Sequence, residues 1–464
     1  ADRAAFTNDP YTPSQSWVDS TGVVAHQEAN GDVVIQAKSN QLILEDRLPI
    51  PLQKNQRFEK KRDVDNRWVT AVDSEDRDGF YLGYNLKEIK AGKQTTLKLQ
   101  PQLMARRALD GSTNSYTLPG QSIADSPSSQ QTRIGDLFGL LARFNTQILG
   151  MSAYAEGNFS TLDPANFADG TRSYANLNRT FKLPLIGDAT ARGFAAYRYR
   201  VWNGSLGEED IYSAIGASLE QSRNLPNLGN IRSQIFWRAG FGNFQGTEFT
   251  SANLADLWRA SVYSSINSQL PLWTGKPLNP GSEQATRFSP TPVVPGLAIN
   301  TNLNMNLAYY GDGSSQQAFS ISGGPTITLG HLQKNAFDYT QFTVTGGGTL
   351  RQGISPFSFD RIVDLSTLGL GLTQQLVGPL MFSGGVGVNV DPSSEFYGDV
   401  VDSYVELRWQ RRAYELAIYY SPYQGIGGIR VKLNDFNFRG TGVPFVPYTP
   451  PGMAQDASIQ RRGF

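Results

Sequence analysis

"LAINTNLNMNLAYY", Leu297 to Tyr310, sets asparagine at 300, 302, 304 and 306 and apolar side chains at most positions between them. A strand turns successive side chains to opposite faces. The stretch therefore has an apolar face of Leu297, Ile299, Leu303, Met305, Leu307 and Tyr309, and an amide face of Asn300, Asn302, Asn304 and Asn306. Wound as a helix it would mix both kinds on every side. Strands of globular sheets run to about 5 or 6 residues, whereas this alternation lasts about 14. Such length suits a wall between two solvents, either the two faces of a large soluble sheet or the lipid and water sides of a transmembrane barrel.

The alternation recurs along the chain. Leu97, Leu99, Leu103 and Ala105 oppose Lys98, Gln100, Gln102 and Arg106; Ala195, Tyr197, Tyr199 and Val201 oppose Arg198 and Arg200. Ile235, Trp237, Ala239 and Phe241 oppose Arg232, Gln234 and Arg238, and Val386, Val388 and Val390 oppose Gly387 and Asn389. In "SYVELRWQRRAYELAIYY" the apolar face is Val405, Leu407 and Trp409, with Glu406, Arg408 and Gln410 between them. After Arg411-Arg412 the phase flips to Tyr414, Leu416, Ile418 and Tyr420, the pattern of a tight hairpin between two one-sided strands.

Roughly 17 such segments lie between Gly79 and Phe438. Single-chain bacterial barrels have even strand numbers, so about 16 to 20 strands are expected, with "NRWVTAV" at 66–72 a candidate for a missed one. Connections alternate in length, short near Leu149-Gly150, Ile186-Gly187, Gly378 and Arg411-Arg412, and longer at 163–173, 204–210, 354–361 and 392–398. Two longer polar, Pro-bearing loops, 109–132 and 274–296, either fold into a lumen or hang free.

The chain has 464 residues, 39% of them hydrophobic, and 41 basic side chains cancel 41 acidic ones, so no global charge draws it to nucleic acid. It has no cysteine, which excludes disulfides, thiol catalysis and thiolate zinc. No apolar run is long enough for a transmembrane helix. The opening "ADRAAFTNDP" lacks a basic n-region and apolar core, so the chain reads as mature, trimmed or never exported.

Repeats of fixed period are missing, and aromatics gather at strand ends in "AYY" (308–310), "IYYSPY" (418–423) and "QLPLW" (269–273). The expected fold is all-β: a transmembrane antiparallel β-barrel with a short N-terminal β segment. Three regions are expected: 1–75, short strands and the charged connector "QKNQRFEKKRDVDNR"; 76–438, the barrel; and 439–464, a Pro/Gly-rich tail.

Catalytic signals are weak. His26 and His331 are the only histidines and sit in no nucleophile motif; "GGVGVN" (384–389) shares only its glycines with a phosphate loop; no metal-ligand cluster or cofactor site stands out. Basic residues do stand out on the polar faces: Lys98, Arg106, Arg198, Arg200, Arg232, Arg238, Arg408, Arg430 and Lys432, with Glu406 one of few acids among them. Facing a lumen with Asn300, Asn302, Asn304 and Asn306, they either favour anionic solutes or simply solubilise the wall.

The ordered segments "AFTNDPYTPSQSW", "DSEDRDGFYLGY", "TLKLQPQLMARRAL", "FSPTPVVPGLAINTN", "SPFSFDRIVDLSTLGLGLTQQLVGPLMFSGG" and "VKLNDFNF" together resemble the lipopolysaccharide-assembly outer-membrane proteins of the LptD family, above all its cyanobacterial branch. The resemblance runs from Phe6 to Phe438. It implies an outer-membrane barrel of a Gram-negative-type bacterium that receives lipopolysaccharide from periplasmic bridge proteins through an N-terminal β-domain. It further implies that lipid leaves sideways between first and last strands while the sugar passes the lumen. The cysteines of the better-known members are missing and the N-terminal domain is short, which puts the bridging step and redox maturation in question. The implied gate has a first strand near Gly79 to Ile89 closing on a last strand near Gly427 to Phe436. Pro101 lacks a ladder donor beside it, and Gly79, Gly83, Gly425, Gly427 and Gly428 loosen it. The rival functions are a passive porin for polar or anionic solutes and an outer-membrane lipid hydrolase using His26 or His331.

Overall fold

Period-2 alternation carries single strands through as many as 21 residues, Leu254–Thr274, and each reverses into an antiparallel neighbour until the sheet closes on itself. The computed structural model describes residues 1–433 apart from 8, 10, 12, 13, 28–32, 53, 54, 59–67, 93, 185, 186, 250 and 252. The barrel strands are β1 (Trp68–Asp73), β2 (Gly79–Tyr84, continued by Ile89–Ala91), β3 (Thr95–Leu103), β4 (Phe138–Ile148), β5 (Met151–Phe159) and β6 (Thr171–Leu183). Next come β7 (Gly187–Trp202), β8 (Glu208–Asn224), β9 (Arg232–Thr247), β10 (Leu254–Thr274), β11 (Gly296–Tyr310) and β12 (Ser315–Gly330). The last are β13 (Tyr339–Gly353), β14 (Ser366–Val377), β15 (Leu380–Asn389), β16 (Val400–Gln410), β17 (Tyr414–Ser421) and β18 (Ile426–Leu433). The two pieces of β2 lie end to end on one edge of β3, so the closed sheet is an 18-strand barrel, an even number inside the expected range.

The first strand is not the one read from the sequence. Trp68–Asp73 pairs with both β2 and β18, so the strand at Gly79 is second. Six residues beside a charge run give too little alternation to stand out. Residues 59–67 of that run, Ile186, Phe436 to Phe438 and the tail 439–464 lie outside the described residues.

A second correction concerns Arg106. The alternation stops at Leu103, and Ala105–Asp110 forms a short helix, α1, closed by Gly111 in the left-handed region (φ 69°). Ala, Arg and Leu favour a helix, and Arg106 points outward to Asp110, with which it pairs at 2.6 Å, instead of lining the lumen.

The strand order sorts the connections by end. The turns at Leu149-Gly150, Gly378 and Arg411-Arg412 lie at the near end, where β1 begins, and the longer connections noted above lie at the distal end. The loop 275–295 also lies at the near end, where Phe288 and Val293 pack on Leu332, Tyr339 and Met381. The loop 104–137 lies at the distal end, with Tyr116 buried.

Strands Arg3–Phe6, Ser16–Thr21, Ser39–Leu44 and Leu48–Leu52 form a four-stranded sheet at the near end, and Val24–Gln27, Val33–Gln36 and Asn55–Phe58 form a separate three-stranded one. Val18, Leu42 and Leu44 pack on Ala413 and Tyr414 of the barrel. The fully buried Asp9 carboxylate accepts from Arg412 Nε at 2.7 Å, and Gln15 Oε1 accepts from Arg412 N at 3.1 Å.

The apolar faces point outward. Met305, Leu307, Phe319, Ile321, Leu368, Leu370, Leu372, Val405 and Leu407 are all exposed, a belt that matches hydrocarbon instead of water. Aromatic residues flank it, Trp258 and Tyr309 toward the distal end and Trp68, Trp273 and Trp409 toward the near end.

Candidate transport path

Residues paired across strands share a face, so register assembles the lumen wall rung by rung. One rung runs Gln234, Asn267, Asn302, Ser322, Gly347, Thr367 and Asn389 from β9 to β15 without a charge. The rung above it holds Phe236, Ser265, Asn304, Ser320 and Thr349. The amides bond sideways: Asn302 Nδ2 donates to Asn267, and Gln269 Nε2 to Asn300 Oδ1 at 3.2 Å. Tyr263 Oη donates to Asn304 Oδ1 at 2.9 Å. A cavity of about 600 Å³ opens beside Gln234, Asn267, Gln269, Asn300 and Asn302, with Arg232 at its rim.

Charge gathers elsewhere in the lumen, and it is balanced. Arg172 pairs with Asp76 at 2.7 Å, Glu208 at 3.0 Å and Asp210. Arg200 pairs with Asp76 at 2.8 Å, Glu208 at 3.0 Å and Asp73 at 3.3 Å. Arg198 pairs with Asp210 at 3.2 Å, and Arg77 with Asp73. Elsewhere Arg238 and Arg192 share Glu220, Arg408 and Arg430 share Glu406, and Arg143 meets Glu156. This corrects the reading of a cationic lumen favouring anionic solutes. Asp73, Asp76, Glu208 and Asp210 sit at strand ends and in turns, where face-by-face alternation does not register them.

Arg198 has a positive φ of 46° and makes no register pair with β8, although the ladder keeps its register from Tyr197 opposite Ser213 to Tyr199 opposite Ile211. Being two apart on one strand, Arg198 and Arg200 share the face that meets the acids. Lys98 occupies the rung of Arg143 and Glu156. Lys432 falls opposite Glu415 by register; its side chain is outside the described residues.

This ionic cluster ties the β1–β2 turn to β6, β7 and β8 at the distal end. The β1–β2 turn folds inward, and its Asp73 and Asp76 reach β6 and β7, several strands around the wall. Burial alone would raise the Asp76 carboxyl; the Arg172 and Arg200 guanidiniums overcome it and hold the group well below the usual carboxylate range. Fully buried Arg107 of α1 bonds Asp78 at 2.6 Å and the carbonyls of Asp76 at 2.7 Å, Ser160 at 2.7 Å and Asp136 at 3.1 Å. Its guanidinium lies over the Tyr116 ring, whose phenol burial pushes up to about 12. The loop 354–365 also enters: Phe357 and Phe359 pack on Phe244 and Tyr310, and Asp360 pairs with Arg259 at 2.7 Å. Alternation marked 354–361 only as a connection, yet its Phe-Ser-Phe-Asp core is apolar enough to signal burial.

The closing seam is short. β18 and β1 share three register pairs, Ile426 with Asp73, Gly427 with Val72 and Gly428 with Ala71, all toward the distal end. By comparison β17 and β18 share eight pairs. Ser74 N donates to the Gly425 carbonyl at 3.0 Å, extending the tie between the two turns. Beyond Gly428, among the described residues, β18 continues to Leu433 without a register partner on β1.

The implied gate residues sort unevenly on this seam. A Cβ at Gly427 would meet the Tyr419 carbonyl oxygen at 2.6 Å, and one at Gly428 the Thr70 oxygen at 2.9 Å. These glycines admit close backbones instead of loosening them. Gly425 (φ 62°) serves the β17–β18 turn, and Gly79 (φ 125°) the turn into β2. Gly83 lies against the Gln100 side chain, away from the seam. Pro101 sits on β3 opposite Leu140, beside the break in β2, so it interrupts the β2–β3 ladder and not the closing one.

His331 Nε2 lies 3.1 Å from the Lys276 carbonyl oxygen at the near end, and His26 is exposed in the three-stranded sheet.

No curated protein sequence is significantly similar to the chain. Among solved structures, CdiB from Acinetobacter baumannii is similar at 8% identity with a TM-score of 0.31 over 90% of this chain. The chain spans 65% of that protein, and so weak a likeness carries no argument. The family model described as "Protein of unknown function (DUF3769)" matches residues 1–437, nearly the whole sequence, and the chain belongs to that family.

Proposed function

We propose that the protein is an outer-membrane translocon that inserts lipopolysaccharide into the outer leaflet through the seam between β18 and β1, with energy supplied from elsewhere. The carrying observation is that seam: three register pairs, the fewest at any strand boundary of the ring among the described residues, against five to sixteen at the others. In hydrocarbon an unpaired backbone group is costly, so a ladder that stops short marks where the wall begins to part, from the near end, and the three distal pairs must open with it for lipid to reach the outer leaflet. The near end then faces the periplasm, its N-terminal sheet the docking place for periplasmic bridge proteins, and the exposed belt meets outer-membrane lipids. The resemblance to the LptD family supports the same cargo.

The test uses the absence of cysteine. Continuing the register places Thr70 opposite Ile429, so Thr70→Cys with Ile429→Cys gives two thiols, to be joined by a short bridging reagent. Joined cells are expected to lose surface lipopolysaccharide and to recover it when a cleavable bridge is reduced. Unchanged surface lipopolysaccharide in fully bridged protein refutes the proposal. A second reading, a passive porin for polar solutes, is favoured by the balanced charges in the lumen; it predicts lost solute influx on depletion and no effect of the bridge.

A further inference from the structure

Beside the balanced ionic patches, the lumen wall from β9 to β13 is devoid of charge over two complete rungs, a contrast that solubilising a channel does not require. Gln234, Asn267 and Gln269 are exposed to the interior, and with Asn300 and Asn302 they line the 600 Å³ cavity. Each amide offers both donor and acceptor atoms in a plane, the pairing that vicinal hydroxyls match. On the next rung the Phe236 ring stands 6.1 Å from the Tyr263 ring, forming an aromatic surface directly beyond the amides. Planar amides beside an aromatic face recognise the polar edge and the apolar C–H face of a pyranose together. The cations nearest these rungs are Arg232 at the rim and Arg238 on the following rung, whose guanidinium lies 5.3 Å from the centre of the Phe236 ring and has its charge balanced by Glu220.

We propose that this cavity is a binding subsite for an uncharged oligosaccharide. The inference rests on the proposed function in taking the glycan to be part of the cargo, and it narrows that cargo to a lipid whose sugar chain is neutral where it crosses this wall.

Purified full-length protein in detergent is titrated with a linear uncharged glucan of seven residues and, separately, with the same glucan sulfated. The neutral chain is expected to bind and the sulfated one to bind at least about tenfold more weakly. Asn267→Asp with Asn302→Asp, nearly isosteric, removes two donors and adds repulsion, and should lower affinity for the neutral chain about tenfold, the loss of roughly two hydrogen bonds. Phe236→Leu should weaken binding without changing the preference for neutral over sulfated chains. Equal or tighter binding of the sulfated glucan, no binding of the neutral one, or indifference to the double substitution overturns the subsite. The readout is independent of the seam. If neutral glucan binds while the Thr70–Ile429 bridge leaves surface lipopolysaccharide unchanged, the translocon reading falls and the subsite stands. The converse result removes the subsite alone.

Discussion

Replacing Arg172 with methionine tests whether the distal cap is held by the ionic cluster. Arg172, Arg77, Arg198 and Arg200 face Asp73, Asp76, Glu208 and Asp210, so the cluster is neutral as built. Arg172, like Arg200, touches three of the four carboxylates, and it also donates to the Arg198 carbonyl at 3.0 Å. Without it one negative charge is left uncompensated among largely buried groups. Breaking a buried pair costs about 3–5 kcal/mol, and water in the lumen places this case at the lower end. About 3 kcal/mol of easier opening corresponds to a roughly hundredfold loss of hydrogen-exchange protection for amides of the β1–β2 turn, residues 74–78. The pH dependence has a definite sign. In the wild type the depressed Asp76 contributes stability above the unfolded carboxyl value, about 4, and loses it only as pH falls further. The contribution of Asp76 itself is therefore constant between about pH 7 and 5. In the variant the carboxyl loses its main partner and its pKa rises, so mild acid should restore protection. Asp210→Asn added to Arg172→Met should also restore part of it. Wild-type protection in Arg172→Met at neutral pH, or failure of both rescues, refutes this account of the cap.

Gly428→Val should open the seam, because even a Cβ would stand 2.9 Å from the Thr70 carbonyl oxygen; faster exchange at Ala71 and Val72 in the purified barrel checks it, and unchanged exchange contradicts it. Asp9→Ala strands the buried Arg412 and should release the N-terminal sheet at a cost of about 3 kcal/mol. Limited proteolysis should then cut between the sheet and β1 while the barrel stays folded, and equal resistance would show that the apolar contact of Val18, Leu42 and Leu44 suffices alone. Phe357→Ala empties a fully buried site between Tyr310 and Phe359 and should cost about 3–5 kcal/mol, seen as lower thermal resistance of the folded band on gels.

The wall was legible in the sequence because its pattern is local: alternation at Asn300 to Asn306 states which face is wet without any knowledge of neighbours. The sorting of short and long connections to opposite ends follows from the same counting, except for the long loop 275–295, which lies with the short turns at the near end. The cap was not legible, since Asp73 meets Arg200 across 127 positions of sequence and no local period links them. Arg106 misled because a strand and the first turn of a helix look alike over two residues. Glycines 427 and 428 read as slack because sequence shows a missing side chain but not the Tyr419 and Thr70 carbonyl oxygens that occupy its place.

Both turns beside the seam are pinned to the same part of the wall. The β1–β2 turn is held through Asp73 and Asp76 by Arg200, while Tyr423 in the β17–β18 turn donates to the Gly204 carbonyl and packs its ring 5.6 Å from Trp202. The two strands are thus fastened together at the distal end and independently moored there, whereas the described parts of β1 and β18 lack register pairing toward the near end. Mechanically the seam is a wedge with its apex at the distal cap. A small rotation of β18 about that apex gives the largest separation beside Trp68 and Val431, nearest the four-stranded N-terminal sheet, and almost none at the turn itself.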